Sequence, residues 1–487
     1  MLGRLVAAAA LSLLLPGTAY AHGRLKSSLP AAGARLTQAP RTLRLDFSEA
    51  PDLTFSSVRL TSASGREIAL GAVAYAPDSR RSMIATIAAA LDTGSYTVSW
   101  QMGGDDGHPV RGRFSFTIAS GATGVGMAPA VAPPVVPPSA AAGTADSTAM
   151  ANMHHDPMSM PESDGFGSES PVYVLIRWVQ FIGLVLVIGA VSFHAFVLAT
   201  VRRARRDIAP PDELSMLVAA ETRAAAIGRA AVVLVAFTLM MRLVAQGYAM
   251  HGLDAGSDPA LMIPMLRSTM WGWGWILQLA GVIVAGIGFQ HARGGRTDGR
   301  SGRGWLLAAA GAVLLAFSPG MASHAASSPK LRALAMLADG VHVLGASCWL
   351  GTLALVLFAG VVVATQYRAD SSAAFVRDLI NAFSPVALVS AGVAASTGLF
   401  AAWLHVGTVP NLWGTRYGLT LLTKLAILGA VTMTGFYNWR FVKPRLGTPG
   451  ATTHLRRSAM IEVGVAVLVL LVTAVLVALP TSMDMIM

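Results

Sequence analysis

The chain has 487 residues, of which 54% are hydrophobic and only 13% are charged. This composition is too apolar for an ordinary soluble protein and indicates a protein that crosses a membrane several times. The formal net charge of +11 does not indicate a nucleic-acid partner, because the arginines cluster in short loops between apolar segments. The single cysteine, Cys348, excludes an intramolecular disulfide and any zinc or redox motif built on two cysteines.

Residues 1–21 are predicted to be a secretory signal peptide. Arg4 supplies the positive charge, residues 5–15 form a short apolar segment, and residues 19–21 (Ala-Tyr-Ala) match a cleavage site. Cleavage there makes His22 the first residue of the mature chain. Such a residue offers a metal two nitrogens, from its α-amine and its imidazole.

Residues 22–118 are predicted to form an antiparallel β-sandwich, because apolar and polar residues alternate in short runs that turn residues separate. Residues 105–108 (Asp-Asp-Gly-His) add carboxylates and a second imidazole to the nitrogens of His22. Three nitrogens and one oxygen in a near-planar set suit Cu(II). In the alternative interpretation, His22 only marks the end of a signal peptide and Asp-Gly is a turn.

Residues 119–170 are predicted to be a linker, because residues 129–143 are rich in alanine and proline. The segment that follows carries thioethers, which favour Cu(I), and imidazoles, which bind either copper state. One interpretation is a disordered tail of chance composition. We favour copper capture, because methionine is usually scarce in solvated linkers. The candidate ligands are Met150, Met153, His154, His155, Met158 and Met160.

Residues 171–487 contain eight apolar segments of spanning length. They cover residues 172–200, 222–250, 271–291, 304–321, 333–365, 378–405, 417–438 and 459–480. A cleaved signal peptide places residue 170 outside the cytoplasm, so every odd-numbered connecting loop should be cytoplasmic and positively charged. Those loops carry fifteen arginines and lysines, against four in the other loops. The predicted topology therefore places the N-terminal domain and the C-terminus in the periplasm.

Polar side chains within the spans are costly and are functional candidates by default. His342, about nine residues into the fifth span, shares a helical face with Met336 and Asp339. Histidines at span ends also serve as interfacial anchors, which is the favoured interpretation for His251 and for His405 taken singly. The candidate residues of a membrane copper path are His251, His324, Met336, Asp339, His342 and His405.

Four further polar residues lie within the spans. Arg242, Lys424 and Glu462 are expected to pair with one another or with Asp339, which would be a structural role. His194, near the inner end of the first span, is either an exit ligand for copper or an interfacial residue.

The N-terminal domain resembles the CopC copper-binding domain along its whole length. The resemblance rests on His22, residues 28–33 (SLPAAG), 43–49 (LRLDFSE), 96–100 (YTVSW) and 106–112 (DGHPVRG). In that family the N-terminal histidine and an Asp-x-His element hold Cu(II), which implies His22, Asp106 and His108 here. Some members also carry a methionine-rich loop for Cu(I). Residues 60–95 contain only Met83, so that second site is expected to be absent.

Residues 171–487 resemble the CopD membrane domain, through looser motifs. These are Ser-His-Ala at 323–325, His342 followed by Trp-Leu-Gly at 349–351, YGLTLLTKL at 417–425 and Asn-Trp-Arg at 438–440. The whole chain is thus similar to a CopC–CopD fusion. The expected fold is mixed and multi-domain: an antiparallel β-sandwich of the Ig or cupredoxin-like class, then an all-α membrane bundle of eight transmembrane helices.

The resemblance implies a copper-binding protein of the bacterial inner membrane, and not an enzyme, that captures Cu(II) in the periplasm and imports copper. Cu(I) is expected in the linker and the membrane domain. Expected partners are copper ions, the lipid bilayer and periplasmic copper chaperones. No Walker A or Asp-Lys-Thr-Gly motif is present, so ATP is not expected to drive transport. Two alternatives stay open: a b-type haem oxidoreductase with axial histidines on spans 4, 5 and 6, and copper sequestration or sensing without transport.

Overall fold

The computed structural model describes residues 25–48, 50–103, 109–119, 166–167, 169–205, 211–253, 255–292, 300–323, 331–367, 369–442 and 451–479. The chain divides into two compact units, one built from strands and one from helices. This arrangement confirms the predicted fold class. The predicted signal peptide and most of the predicted linker lie outside the described residues.

The first unit consists of two β-sheets. Its strands are β1 (Leu25–Leu29), β2 (Arg35–Leu36), β3 (Thr42–Phe47), β4 (Asp52–Ser62), β5 (Glu67–Ile68), β6 (Ala74–Ala76), β7 (Ser79–Thr86), β8 (Gly94–Gly103) and β9 (Pro109–Ile118). One sheet has the order β1-β3-β7-β6 and the other β2-β9-β8-β4-β5. The two-residue strand β2 runs parallel to β9, so the sandwich is not purely antiparallel as predicted.

Period-two alternation along β3 shows how the sequence builds the core of this unit. Leu43, Leu45 and Phe47 are almost completely buried, while the residues between them face away from the core. Each such side chain contributes about 1.5–3 kcal/mol through burial. The Phe47 ring meets Trp100 of the opposite sheet edge to face, with ring centroids 5.2 Å apart.

The second unit is helical. Its α-helices are α1 (Pro171–Ser192), α2 (Ala199–Ala204), α3 (Pro211–His251), α4 (Pro259–Ser268), α5 (Met270–Ala292), α6 (Arg300–Phe317), α7 (Arg332–Leu355), α8 (Val362–Ala364), α9 (Ala369–Val406), α10 (Asn411–Gly414), α11 (Arg416–Tyr437) and α12 (Ala451–Ala478). π-Helical segments occur at Phe193–Leu198, Val356–Val361 and Asn438–Val442.

Within the described residues, eight helical stretches are long and apolar enough to cross a membrane, as predicted. In chain order, spans 1 to 8 are Pro171–Ala204, Asp212–His251, Met270–Ala292, Ser301–Ala322, Arg332–Ala364, Ser371–Val406, Arg416–Tyr437 and Arg457–Ala478. Because consecutive spans cross in opposite directions, span 1 begins at the end of the bundle where spans 2, 4, 6 and 8 finish. We call this end the Pro171 end.

Spans 1 and 5 form the centre of the bundle. Span 1 packs against spans 2, 4, 5 and 8, and span 5 packs against spans 1, 4, 6 and 8. Within the most apolar 18 residues of span 5, 72% are buried, against 11% in the corresponding stretch of span 6 and 22% in that of span 7. A polar side chain on span 5 is therefore mostly surrounded by protein, whereas one on span 6 or 7 is more often at the surface of the bundle.

Two glycines allow spans 1 and 5 to approach closely. A Cβ built on Gly189 would lie 2.6 Å from Gly351 Cα, which is closer than real Cβ atoms come. Thr352 Oγ1 donates a hydrogen bond to Ser192 Oγ at 2.8 Å beside this contact, and both residues are buried. Small residues with an interhelical hydrogen bond are a usual means of packing helices in a membrane, where lipid offers no hydrophobic gain.

Replacing Gly189 by valine is expected to destabilise the bundle, because the new side chain would overlap the backbone of Gly351. Overpacking of this kind costs about 1–3 kcal/mol. The matched control is Gly429→Val, since Gly429 is exposed on span 7 and has open space around it. Thermal unfolding of both variants in detergent measures the difference. Equal unfolding midpoints for the two variants would show that the stability of the bundle does not depend on the close approach of spans 1 and 5.

Candidate functional site

The predicted Cu(II) ligands His22, Asp106 and His108 lie outside the described residues. The strands on either side of them are described. β1 begins at Leu25, β8 ends at Gly103, and β9 begins at Pro109, directly after His108 in the sequence.

The sandwich brings the start of β1 and the end of β8 to the same end of the domain. Leu25 pairs with Phe47 in the β1–β3 ladder, and the Phe47 ring contacts Trp100. Trp100 lies on β8, three residues before Gly103. Three residues of chain reach at most about 10 Å. The two predicted ligand segments therefore leave from neighbouring strand ends that belong to opposite sheets.

A polar network holds β1 in place near its start. Ser27 Oγ donates to Asp46 Oδ2 at 2.7 Å, and Arg44 Nε donates to Asp46 Oδ1 at 2.8 Å. Arg44 also pairs with Asp78 at 2.9 Å. Burial raises the pKa of Asp46, but hydrogen bonds from Ser82, Arg44 and Ser27 outweigh it and hold the pKa below its usual value. Asp46 is thus charged at neutral pH and anchors the strand that leads to His22.

Met83, the lone methionine of residues 60–95, belongs to the core of the sandwich. Its exposed fraction is 0%, and it lies opposite Leu45 in the β3–β7 ladder. A thioether in this position is packed against apolar side chains and is not accessible to a metal ion in solvent.

In the helical unit, Met336 and Asp339 lie against the end of span 4. Ser323 Oγ donates to Asp339 Oδ2 at 2.8 Å. A Cβ built on Gly320, in the 3₁₀ turn at the end of span 4, would lie 3.1 Å from the Met336 carbonyl oxygen and 3.4 Å from Asp339 Cβ. Glycine at this position therefore lets the turn sit directly on the face of span 5 that carries both residues.

His342, one helical turn further along span 5, is oriented by span 6. Its Nδ1 lies 2.9 Å from the Ala394 carbonyl oxygen and 3.1 Å from Thr397 Oγ1. A carbonyl oxygen can only accept, so Nδ1 carries the proton and Nε2 keeps its lone pair. Metal-binding histidines are usually oriented in this way, with one ring nitrogen held by a carbonyl and the other turned to the metal.

Lys424 of span 7 interacts electrostatically with both Asp339 and His342. The expected pairing of Lys424 with Asp339 is therefore present as an interaction between charges. The same expectation is wrong for the other two ionisable residues. Arg242 contacts glutamine and tryptophan side chains, and Glu462 accepts a hydrogen bond from Asn438. These partners depend on how each helix is rotated against its neighbours, which the spacing of residues in the sequence does not specify.

The remaining candidates of the membrane path lie elsewhere. His251 is the last residue of span 2, beside the fully buried Met250. His405 lies at the end of span 6, with its ring centroid 6.4 Å from that of Tyr417 on span 7. The structure thus groups Met336, Asp339 and His342 and places His251 and His405 at the ends of other spans. The other candidates lie outside the described residues: His324, Met150, Met153, His154, His155, Met158 and Met160.

Comparison with known proteins covers both units. Three family models match: the CopC domain at residues 25–119, the N-terminal domain of copper resistance protein D-like proteins at 167–331, and copper resistance protein D at 377–476. Copper resistance protein C of Pseudomonas syringae pv. tomato is 33% identical over 114 residues, which cover 22% of this chain and 90% of that protein. The chain belongs to the CopC–CopD family.

Two further relatives show how far the similarity extends. The copper transport protein CutJ of Bacillus subtilis (strain 168) is 22% identical over 471 residues, which cover 96% of this chain and 76% of that protein. The crystal structure of PcoC, a methionine-rich copper resistance protein from Escherichia coli, has 35% identity and covers 20% of this chain and all of that chain, with a TM-score of 0.19. Similarity to CutJ therefore runs through the CopC and CopD domains alike.

No three His, Cys, Asp or Glu side chains come together as a possible metal site within the described parts of the CopC and CopD domains. His22, Asp106, His108 and His324 lie outside those parts. In the helical unit, Asp339 and His342 form a pair of such ligands, and Met336 adds a thioether on the same face.

The structure also shows a polar cluster in the helical unit, of which the sequence had indicated one residue, His194. His194 stacks on Trp305, with ring centroids 4.0 Å apart, and its Nδ1 lies 3.4 Å from Glu221 Oε1. Glu221 also accepts hydrogen bonds from Arg202 and from Trp305 Nε1. His194 lies in the π-helical segment of span 1, an irregularity often found at functional sites. Glu221 was missed because it lies one residue before the predicted apolar segment 222–250, although span 2 begins earlier.

Proposed function

We propose that this chain captures Cu(II) with its CopC domain and admits copper to the cytoplasm through its CopD domain. Membership of the CopC–CopD family supports the link to copper. The bias of positive charge among the loops supports a bacterial inner-membrane location with the CopC domain and the C-terminus in the periplasm. In this orientation the Pro171 end of the bundle faces the periplasm.

The capture site of the proposal consists of the α-amine and imidazole of His22, Asp106 and the imidazole of His108. The neighbouring ends of β1 and β8 support it, because chain segments that continue from neighbouring strand ends are short enough to supply ligands to a single metal ion. Asp46 contributes by fixing β1. The methionines and histidines of residues 150–160 are proposed to bind copper between the two domains, since thioethers favour Cu(I) and imidazoles bind either copper state.

The observation that carries the passage step is the orientation of His342. Its Nδ1 is held by span 6, so Nε2 is free of the proton and suited to bind copper. His342 lies ten residues from the start of span 5, about 15 Å below the Pro171 end. The positive charge of Lys424 attracts the half-buried carboxylate of Asp339, whose charge would otherwise be costly in a membrane. A copper cation that reaches this site would place a second positive charge beside the Asp339 carboxylate.

The haem alternative receives no support from His342 and His405. Axial ligands on facing helices must lie at matching depth. His342 lies ten residues into span 5, whereas His405 is the penultimate residue of span 6, at the same end of the bundle. The difference of about nine residues corresponds to roughly 13 Å along the helix axes.

Copper measured in separate cell fractions tests the proposal. Cells expressing the chain at low external copper should hold more cytoplasmic copper than cells without it. Sequestration without transport would raise only the periplasmic copper, and unchanged copper in both fractions would contradict capture and import together. His291→Ala provides a matched control, because His291 is exposed and its Nδ1 contacts only its own helix.

A further inference from the structure

Spans 1, 2 and 3 enclose a group of buried polar side chains that the proposed copper path does not use. We call it the Arg242 cluster and define it as Gln180, Arg242, Trp271 and Gln278. Their exposed fractions are 1%, 9%, 2% and 1%. Arg242 lies nine residues before the end of span 2, about 14 Å below the Pro171 end.

The four side chains form a continuous chain of contacts across the three spans. Arg242 Nη1 donates to Gln180 Oε1 at 3.4 Å, and Gln180 Nε2 donates to Gln278 Oε1 at 3.2 Å. The guanidinium of Arg242 also lies over the Trp271 ring, 5.6 Å from its centroid. The cluster therefore links span 1 to span 2 and span 3.

The direction of these hydrogen bonds leaves nitrogen donors of the cluster without acceptors. Arginine can only donate, so Gln180 must turn its oxygen to Arg242 and its nitrogen to Gln278. Gln278 must then accept this hydrogen bond with its oxygen, so its side-chain nitrogen is left without an acceptor. Three buried N–H groups in this cluster have no hydrogen-bond partner: Arg242 Nε, Trp271 Nε1 and Gln278 Nε2.

The cluster also carries a positive charge that is not balanced by a carboxylate among the described residues. No ion pair joins Arg242 to a carboxylate in the part of the chain that the structure describes. The buried Arg177 of span 1 adds a second positive charge, which repels that of Arg242 and is itself attracted by Glu169. A buried guanidinium without a counter-charge is strongly unfavourable in a membrane protein.

We propose that the Arg242 cluster binds a small anion, either a halide such as chloride or a short carboxylate such as formate. The anion accepts hydrogen bonds from Arg242 Nε, Trp271 Nε1 and Gln278 Nε2 and offsets the charge of Arg242. It thereby ties spans 1, 2 and 3 together near the Pro171 end. This site lies apart from Asp339 and His342 of span 5, and it does not depend on copper transport.

Anion-dependent thermal unfolding of the full chain in detergent tests this proposal. The protein is held at constant ionic strength in the sodium salt of a bulky sulfonate buffer, which is then replaced stepwise by chloride or by formate. A ligand that binds the folded state alone raises the unfolding midpoint. We expect a saturable rise with at least one of the two anions. The anion that acts at the lower concentration identifies the class of the occupant.

Three variants show whether the rise comes from this cluster. Arg242→Met removes the charge and should abolish the anion dependence. Gln278→Leu removes one donor, keeps the charge, and should raise the half-saturating anion concentration at least tenfold. Gln290→Leu is the control, because Gln290 lies on the same span with an exposed side chain. It should respond as the wild type does.

The anion dependence itself is the readout, so a general loss of stability in a variant does not imitate the expected result. If Arg242→Met does not fold, Gln278→Leu alone decides. The proposal is overturned if neither anion produces a saturable rise in the wild type. It is equally overturned if Gln278→Leu and Gln290→Leu respond to chloride and formate with the same concentration dependence as the wild type.

Discussion

His22→Ala and His108→Ala are each expected to lower the Cu(II) affinity of the CopC domain by orders of magnitude. Each change removes one imidazole from a proposed set of three nitrogens and one oxygen, and Cu(II) strongly prefers nitrogen ligands in a near-planar arrangement. Blocking signal cleavage or acetylating the mature N-terminus should have a comparable effect, because the α-amine is then lost. Competition titration of the full chain against a Cu(II) chelator measures all of these changes.

Met83→Leu is the matched control for the capture site. It replaces a fully buried side chain by one of similar volume, a change that cores usually tolerate. The affinity for either copper state at the CopC domain should stay as in the wild type. A chain with an acetylated N-terminus that binds Cu(II) as tightly as the mature chain would rule out the amine ligand. Loss of copper binding in Met83→Leu would instead reveal a methionine site in the domain.

His342→Ala is expected to reduce copper uptake to the level of cells that lack the chain, because it removes the oriented imidazole from the face of span 5. Asp339→Asn should also impair uptake strongly, since it removes the carboxylate one turn away. The measurement is the initial rate of cytoplasmic copper accumulation as a function of external copper. His22→Ala measured in the same assay should keep the maximal rate and require more external copper, because only capture is weakened.

Thr397→Val separates the orientation of His342 from its presence. The variant removes one of the two groups that contact Nδ1 and leaves the Ala394 carbonyl in place. Its uptake should fall between those of the wild type and His342→Ala. If His342→Ala reaches the membrane in normal amount and imports copper at the wild-type rate, the path does not run along this face of span 5.

Several features of the fold and of the candidate site could be predicted from local sequence alone. The strands of the sandwich followed from alternation of apolar and polar residues, as along Thr42–Phe47, since a strand shows alternate side chains to its two faces. The spans followed from continuous apolar stretches, because the bilayer imposes length and composition on each helix independently of its neighbours. The grouping of Met336, Asp339 and His342 followed from helical spacing.

The partners of the polar residues could not be predicted in the same way. A span in a membrane bundle is apolar on the side that faces lipid and on the side that faces protein, so its sequence hardly shows which face is buried. Pairing of Arg242 or Glu462 with another charged residue was therefore a reasonable expectation, and it was wrong. The parallel β2–β9 pair was missed because a two-residue strand shows no alternation.

The sequence by itself thus determined the two classes of structure, the number of spans and the residue types available to bind copper. These properties depend on composition, periodicity and short motifs, which act within a few residues of one another. Only the tertiary structure decided that Ala394 orients His342, that Gly189 meets Gly351, and that Arg242 is buried among donors. Such contacts join residues far apart in the chain, and they depend on how each helix is rotated against its neighbours.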